Sequence, residues 1–415
     1  MATGREPTTP AHRPPTAVRR KPSLDFSVTG LVYCSMMMFM GLAAINSQAN
    51  LLFGVFGLMI GILLISGVIS RMVLRKMRVR RDLPEAASVG ELATITYHFT
   101  NHKKFWPSIS VALGELDGVE AFEKQPFSYL LHAAGGRTAD VPTEVVPKRR
   151  GLHQLDRYQV STSFPFGFVK RAIERRHADQ FLVYPPIARV DNRLIQLARS
   201  AEKTGATMRP RRGGNDEFYG VKEYRAGENP RLIYWRRSAR TGVLVSKEMT
   251  QVSPPRLVLL VDTYLTDRSA EAHAGVEKAI AMAASLASHA LEQGVSVGLV
   301  AWTDGGWSAV PPNRGKRQRR DLLSALARLP LNTSHPTQAL LDEARDALAG
   351  GATAVLFTPR DLQLGLADRG RGAMVVVSVN SPQAAGWFRF APTVDFTTVM
   401  PPEQQPELRE AVASG

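Results

Sequence analysis

The sequence predicts an N-terminal transmembrane helical hairpin, then a β-sandwich-like domain and an α/β domain. Three observations carry this. Two charge-free apolar runs occupy residues 28–46 and 51–70; apolar and polar residues alternate in short runs from about residue 88; and continuous apolar runs alternate with helical stretches after residue 255. The organisation expected is a basic disordered tail over 1–25, the hairpin with a basic juxtamembrane segment over 26–77, a β-rich domain over 78–190, a distinctive segment over 191–254, the α/β domain over 255–400 and a tail over 401–415.

The hairpin comes first. Residues 1–23 are rich in Pro, Thr and Arg and show no apolar period, which suits an unfolded tail. VTGLVYCSMMMFMGLAAIN and LLFGVFGLMIGILLISGVIS follow, and only Ser47, Gln48, Ala49 and Asn50 separate them. Each has the roughly 20 residues that a helix needs to cross ~30 Å of hydrocarbon. A signal peptide has a shorter core and no second span so close behind it. A buried soluble helix shows a polar face, and an interfacial helix carries charge along one side. Arg13, Arg19, Arg20 and Lys21 precede the first run; Arg71, Arg75, Lys76, Arg78, Arg80 and Arg81 follow the second; the connecting loop is uncharged. The positive-inside rule then places both termini in the cytoplasm, with the hairpin in the cytoplasmic membrane.

The chain has 415 residues, with 52 Lys+Arg against 37 Asp+Glu, a formal charge of +15. Such an excess calls for anionic partners, nucleic acid or phospholipid. The juxtamembrane cluster accounts for much of it, each Lys or Arg there being worth about 1 kcal/mol against anionic lipid. Pro312-NRGKRQRRD adds Arg314, Lys316, Arg317, Arg319 and Arg320. It lacks the interleaved aromatics of a single-strand binder, so no nucleic acid is expected. A single cysteine, Cys34, leaves no disulfide within the chain and no cysteine-based zinc site.

In the β-rich region, LATITYHFTN alternates as a half-buried strand does, and SISVALGEL, TADVPTEVVP and YQVSTSF read as further strands. Short strands in series punctuated by Gly and Pro suggest a sandwich. Ser163-FPFGFVKR spaces Phe164, Phe166 and Phe168 around Pro165 and Gly167, a bend that packs aromatics. His98 and His102 lie some 13 Å apart on a strand, too far for one metal.

The stretch FYGVKEYRAGENPRLIYWRRSARTGVLVSKE, from Phe218 to Glu248, carries clear punctuation. Asn229 is placed to cap a helix with Pro230 at its first position, and Gly242 to end it. A helix over 230–241 puts Leu232, Trp235 and Ala239 on one face, ringed by Arg231, Arg236, Arg237 and Arg240. Glu217, Glu223, Glu228 and Glu248 are nearby in sequence. The order Phe218, Gly220, Glu223-Tyr224, Gly227-Glu228, Arg231, Ile233, Trp235, Ser238-Ala239-Arg240 and Gly242 resembles the signature of the domain of unknown function 58 family of bacterial proteins. Members typically carry Asp at one or both of the positions held here by Glu228 and Asn229. The resemblance extends to the hairpin, Arg149-Arg150-Gly151, Pro165-Phe166-Gly167 and the following α/β region. It implies a von Willebrand factor A-like fold for that region. It also implies an association with MoxR-type AAA+ ATPases and with transglutaminase-like membrane proteins. The segment has two readings: a structural lock in which Trp235 is buried and Arg–Glu pairs form, or a docking site built from its arginines.

In the α/β region, Arg256-LVLLVDTYL, Val295-SVGLVAW, Ala352-TAVLFT and Met374-VVVSVN are buried strands, and 270–292, 317–328 and 338–348 are helices. This alternation argues for a parallel sheet covered on both faces. In the implied fold the loop after the first strand often carries Asp-x-Ser-x-Ser for a divalent cation. Here Asp262 and Thr266 match in type, Tyr264 replaces the first Ser, and Thr337 is the candidate distal hydroxyl. Arg360 falls where a second acid is usual, so a degenerate magnesium site is expected to bind weakly or not at all, and no cofactor is required. Gly214 to Lys222 imitates a phosphate loop, but Val221 interrupts the Gly-Lys pair. With no catalytic motif in view, the sequence points to a membrane-anchored adaptor or assembly factor rather than an enzyme.

Overall fold

The computed structural model describes residues 23–197, 212–225, 227–250, 256–267, 269–303, 306–348, 352–362 and 374–397. They fall into two compact units, one ending at Tyr184 and the other beginning at Pro185. Of the tails expected over 1–25 and 401–415, residues 1–22 and 401–415 lie outside the described residues.

The first unit opens with strand β1 (Ser23–Phe26), which pairs antiparallel with a later strand, so the last three residues of the segment expected as tail are ordered on a sheet edge. Helix α1 (Val28–Ser47) and helix α2 (Asn50–Leu74) follow, both long and apolar enough to cross a membrane. Ser27 caps α1 by accepting from the Gly30 N–H at 3.0 Å, as serine does at an N-cap. Strands β2 (Met77–Asp82), β4 (Ala93–Asn101) and β7 (Thr138–Val145) form one antiparallel sheet in the order β2-β4-β7. Strands β5 (Ser108–Glu115), β6 (Phe127–Ala133), β8 (Gly151–Thr162) and β9 (Val169–Tyr184) form a second with β1, in the order β1-β9-β8-β5-β6, and β3 (Ala87–Ser88) runs parallel to the far end of β9.

The alternation read in the sequence has its physical basis here. Ala93, Ile95, Tyr97, Phe99 and Asn101 of β4 all point inward and are buried, one face per two residues. They share a core with Val111, Leu113, Leu130, Leu155, Val160, Phe181 and Val183 of the other sheet. The end of α2 enters the same core through Val73 and Leu74, with Ile69 packed against it. The second apolar helix is therefore continuous with the β core rather than joined to it by a linker.

One charge cluster is sealed inside that core. Arg81 of β2 pairs through Nη1 with Glu115 Oε2 at 2.7 Å, both side chains fully buried, and through Nε with Asp179 Oδ2 at 2.9 Å. Its Nη2 donates to the Leu155 carbonyl at 2.7 Å and to that of His177. The Tyr97 hydroxyl completes Glu115 from the other side at 2.9 Å. Burial pushes the Glu115 carboxyl and the Tyr97 hydroxyl upward in pKa, while the Arg81 charge and the hydrogen bonds oppose this at Glu115.

The second unit contains a five-stranded sheet in the order β15-β14-β13-β16-β17. These are β13 (Arg256–Val261), β14 (Ser296–Thr303), β15 (Gly306–Asn313), β16 (Thr353–Thr358) and β17 (Met374–Ser378). All pair in parallel except β15, an antiparallel edge on β14. β13 and β16 are buried almost throughout, as a parallel sheet covered on both faces requires. β15 carries Pro311 and Pro312 near its end. An edge strand tolerates proline since its outward N–H groups are not needed. Gly298 lets that edge approach closely: a Cβ there would sit 2.8 Å from the Val310 carbonyl oxygen.

The connecting helices of this unit fall as the apolar pattern places them, α4 at Ala270–Glu292, α5 at Gly315–Ala327 and α6 at Thr337–Leu348. Two further small elements belong to the same unit. β10 (Arg189–Val190) pairs with β18 (Phe388–Arg389), which follows the short helix α7 (Pro382–Trp387). β11 (Arg212–Glu223) and β12 (Val245–Thr250) make a separate two-stranded sheet, and helix α3 (Trp235–Thr241) lies in the connection between them. The stretch that imitates a phosphate loop, 214–222, is thus a strand, not a loop feeding a helix.

Candidate functional site

The β11–β12 hairpin positions the signature residues. Tyr224 donates its N–H to the Leu244 carbonyl at 2.8 Å, and the Tyr224 hydroxyl donates to the Glu228 carbonyl at 3.0 Å. The turn between them contains Gly227 at φ +102°, backbone that a side chain disfavours. The Glu228 carboxylate accepts from Lys222 Nζ at 2.7 Å and from the Ser246 hydroxyl at 3.2 Å. The hydrogen bond from Lys222 is the main reason its pKa lies below the usual carboxylate range. Asn229 caps as expected, accepting from the Arg231 N–H at 3.1 Å.

The helix departs from expectation. Residues 230–232 form a single 3-10 turn, Ile233 breaks out to bridge Ser246, and α3 starts only at Trp235. Tyr234 is occupied as a strand residue would be, donating its N–H to Val245 at 2.7 Å. The reset in phase changes which side chains are buried. Ser238 is buried and accepts from the Val245 N–H at 2.9 Å, while donating to the Tyr234 carbonyl at 3.1 Å. Ile233 is also buried. Trp235 is 65% exposed, so the expectation that it anchors the packing is corrected.

The arginines complete that outward face. Arg231, Arg236, Arg237 and Arg240 are exposed, and among the described residues none makes an ion pair, with Glu223 or Glu228 or otherwise. Glu223 is exposed opposite Val245 in the strand register. Tyr224, Gly227, Glu228 and Ser238 are thus the internal frame. Arg231, Trp235 and Arg240 are what the frame presents.

The second candidate lies at the carboxyl ends of the parallel strands, where open α/β sheets place their ligands. Asp262 follows β13 and is 2% exposed. Its Oδ1 accepts from the Tyr264 N–H at 3.1 Å. Its Oδ2 accepts from the Thr337 hydroxyl at 2.8 Å, the Thr358 hydroxyl at 3.1 Å and Arg360 Nη2 at 3.0 Å. Arg360 Nη2 also donates to Thr337 Oγ1, and its guanidinium carbon lies 5.0 Å from the centre of the Tyr264 ring.

The structure therefore brings Asp262 and Thr337 together, and leaves Thr266 exposed outside the cluster. Thr358 is the member that sequence reasoning missed; it becomes visible only when β16 is seen to end beside β13. A hard cation needs several oxygen ligands, and here the carboxylate and the Thr337 hydroxyl already face the Arg360 guanidinium, while the Thr358 hydroxyl accepts from the Arg360 backbone N–H at 3.2 Å. No group of three or more His, Cys, Asp or Glu with metal-binding geometry occurs among the described residues.

Among the described residues, the buried Thr263 Oγ1, Trp302 Nε1 and Arg360 Nε, at or next to this rim, meet no hydrogen-bond partner. The Trp302 ring stacks on His335 at 3.8 Å. Asp304, just after β14 in the sequence, lies outside the described residues. The basic run beyond it is largely engaged: Arg314 Nε donates to Ser296 at 2.9 Å, and Arg319 pairs with Glu292 at 3.8 Å.

Comparison with known proteins gives one firm match. The model of the family described as Protein of unknown function DUF58 matches residues 220–360, which hold both the signature hairpin and the Asp262–Arg360 cluster. None of the curated proteins matches this chain. Among solved structures, Spo0M, a sporulation control protein from Bacillus subtilis, is similar at 12% identity and a TM-score of 0.17, over 36% of this chain and 58% of that one. An exo-β-N-acetylglucosaminidase from Vibrio harveyi, solved with N-acetylglucosamine, is similar at 11% identity and a TM-score of 0.15, over 68% of this chain and 57% of that one. The chain thus spans less than three-fifths of either protein.

Proposed function

We propose that this chain, a protein of the DUF58 family by residues 220–360, is a membrane-anchored, non-enzymatic adaptor that docks a cytoplasmic partner protein through its signature hairpin. One observation carries the reading: Trp235 and four arginines, without ion pairs among the described residues, stand exposed on a frame held by internal hydrogen bonds. Tryptophan and arginine are the residues that most often dominate binding energy when a partner covers them. An exposed basic surface of this kind also steers an acidic partner.

In this reading α1 and α2 cross the bacterial inner membrane with both termini cytoplasmic, supported by the arginine-rich flanks and the uncharged connection. The first unit is taken as a β-sandwich, supported by its two sheets around one core. The second is taken as von Willebrand factor A-like, supported by its parallel sheet and intervening helices. The family resemblance makes a MoxR-type AAA+ ATPase the expected partner, with a transglutaminase-like membrane protein as a further component of the assembly.

The test is photo-crosslinking in intact cells from a crosslinker placed at Trp235, followed by mass spectrometry. The expected product is an AAA+ ATPase, lost when Arg236, Arg237 and Arg240 are replaced by Glu. Crosslinks to lipid alone, or an ATPase captured equally well by the Glu variant, would reject this docking face.

A further inference from the structure

The apolar helices supply a ruler for the first unit. α1 has 20 residues, so at 1.5 Å per residue it spans about 30 Å, the whole thickness of a hydrocarbon core. Its first two turns are not free of the β domain. Gly30 lies so close to the β8–β9 turn that a Cβ would sit 2.0 Å from the Phe168 carbonyl oxygen. Tyr33 stacks on the Phe168 ring at 4.1 Å. Tyr33 is five residues into α1, about 7 Å along its axis.

The other helix gives the same level independently. Counting twenty residues from Leu51 reaches Ser70, whose hydroxyl donates to the Phe164 carbonyl at 2.8 Å. Both helices therefore place the turn Phe164–Phe168 at the edge of the hydrocarbon slab.

A second loop stands just outside it. Lys103 Nζ donates to the Met72 and Val73 carbonyls at 3.0 and 2.8 Å, and the Ser108 hydroxyl to Val73 at 2.9 Å. These carbonyls end α2 about 3–5 Å beyond Ser70, at the depth of the headgroups. The loop held there carries Phe105, 94% exposed, and Trp106, 46% exposed. In the turn, Phe166 is 48% exposed and stacks on Phe168 at 5.6 Å. Exposed Arg71, Lys104 and Lys170 accompany them, with no ion pair among the described residues.

Large aromatics exposed together at one level mark an interaction surface, and at the boundary of a bilayer they are the favoured residues. We infer that the loop 102–107 and the turn 164–168 form an aromatic and basic collar that inserts into the interfacial layer of an anionic phospholipid bilayer. The collar seats the β domain directly on the membrane. Phe105, Trp106 and Phe166 lie at the glycerol and upper acyl level, and Arg71, Lys104 and Lys170 lie among the phosphates. The inference rests on the reading that α1 and α2 cross a membrane.

The experiment uses the full chain, with Cys34→Ser, in vesicles of phosphatidylcholine and phosphatidylglycerol. A nitroxide is placed singly at Phe105→Cys, at Phe166→Cys and at Leu152→Cys. Leu152 is an exposed site at the far end of β8, roughly 30 Å from the turn. Collision with oxygen, which concentrates in lipid, is compared with collision with a water-soluble nickel chelate. The expected result is an oxygen-to-nickel ratio several-fold higher at 105 and 166 than at 152. Ratios at 105 and 166 equal to that at 152 would overturn the collar. Shielding of both positions from both reagents would also overturn it, by pointing to a second copy of the chain as the cover. Alkaline carbonate extraction of the same vesicles separates the two readings. Retained protein with nickel-accessible collar positions sinks the collar alone, and released protein sinks the spanning hairpin.

Discussion

Arg360 donates through Nη2 to Asp262 Oδ2 at 3.0 Å, in the company of Thr337 and Thr358, so the acid at the head of the parallel sheet is neutralised by a tethered guanidinium. A divalent ion entering this cluster would have to displace a charge that is permanent. The wild-type chain is expected to show no saturable heat with micromolar magnesium in titration calorimetry. Arg360→Ala is expected to create weak, millimolar binding that Asp262→Asn abolishes. Asp262-dependent micromolar binding by the wild type would show that the guanidinium is easily moved aside.

The exposure of Trp235 and the burial of Ser238 give opposite stability expectations on one short helix. Trp235→Ala removes a side chain that packs little and should shift unfolding by less than about 0.5 kcal/mol. Ser238→Ala removes the acceptor of the Val245 N–H and should cost about 1–3 kcal/mol. Chemical denaturation of the two variants side by side measures this, and a large loss at Trp235 would restore it as a packing anchor.

Arg81 and Glu115 are fully buried together. Removing one partner strands the other charge, which typically costs about 3–5 kcal/mol. Arg81→Ala should therefore lower the unfolding midpoint of the β domain sharply. Arg81→Met combined with Glu115→Gln should be clearly milder than Arg81→Ala. If the double variant is the worse of the two, the pair is not the unit that stabilises this core.

Lys103 donates to carbonyls at the end of α2, and burial lowers its pKa from 10.5 to about 8. The folded chain thus releases this proton earlier than the unfolded chain does. The sign follows: the cost of burying the charged amine is felt in full below pH 8 and fades as pH rises through the unfolded value, so stability gains with pH in that window. Melting curves at pH 7 and pH 10.5 should show a smaller gain for Lys103→Met than for the wild type. Equal gains would place the titration elsewhere.

Several features were legible in the residues themselves because they depend on short-range pattern. Charge-free runs of about twenty residues gave α1 and α2, both long and apolar enough to cross a bilayer. The period-two alternation of 93–101 gave β4, and the apolar runs at 256–261 and 353–358 gave strands buried on both faces. Asn229 and Gly242 marked their local backbone correctly, since capping is a property of neighbours in sequence.

What the sequence could not decide was everything set by partners far apart in the chain. Trp235 looked like core on a continuous helical face, but Ile233 leaves the helix to bridge Ser246 on β12, and that break turns Trp235 outward. Thr358 and Arg360 meet Asp262 only because β16 lies beside β13, across 96 and 98 residues of chain. Phe164–Phe168 read as an ordinary bend until β8 and β9 carried it against Gly30, Tyr33 and Ser70. Local propensity fixes φ and ψ over a few residues. Which faces meet is decided by the sheet registers that close long loops, and no short window of sequence contains them.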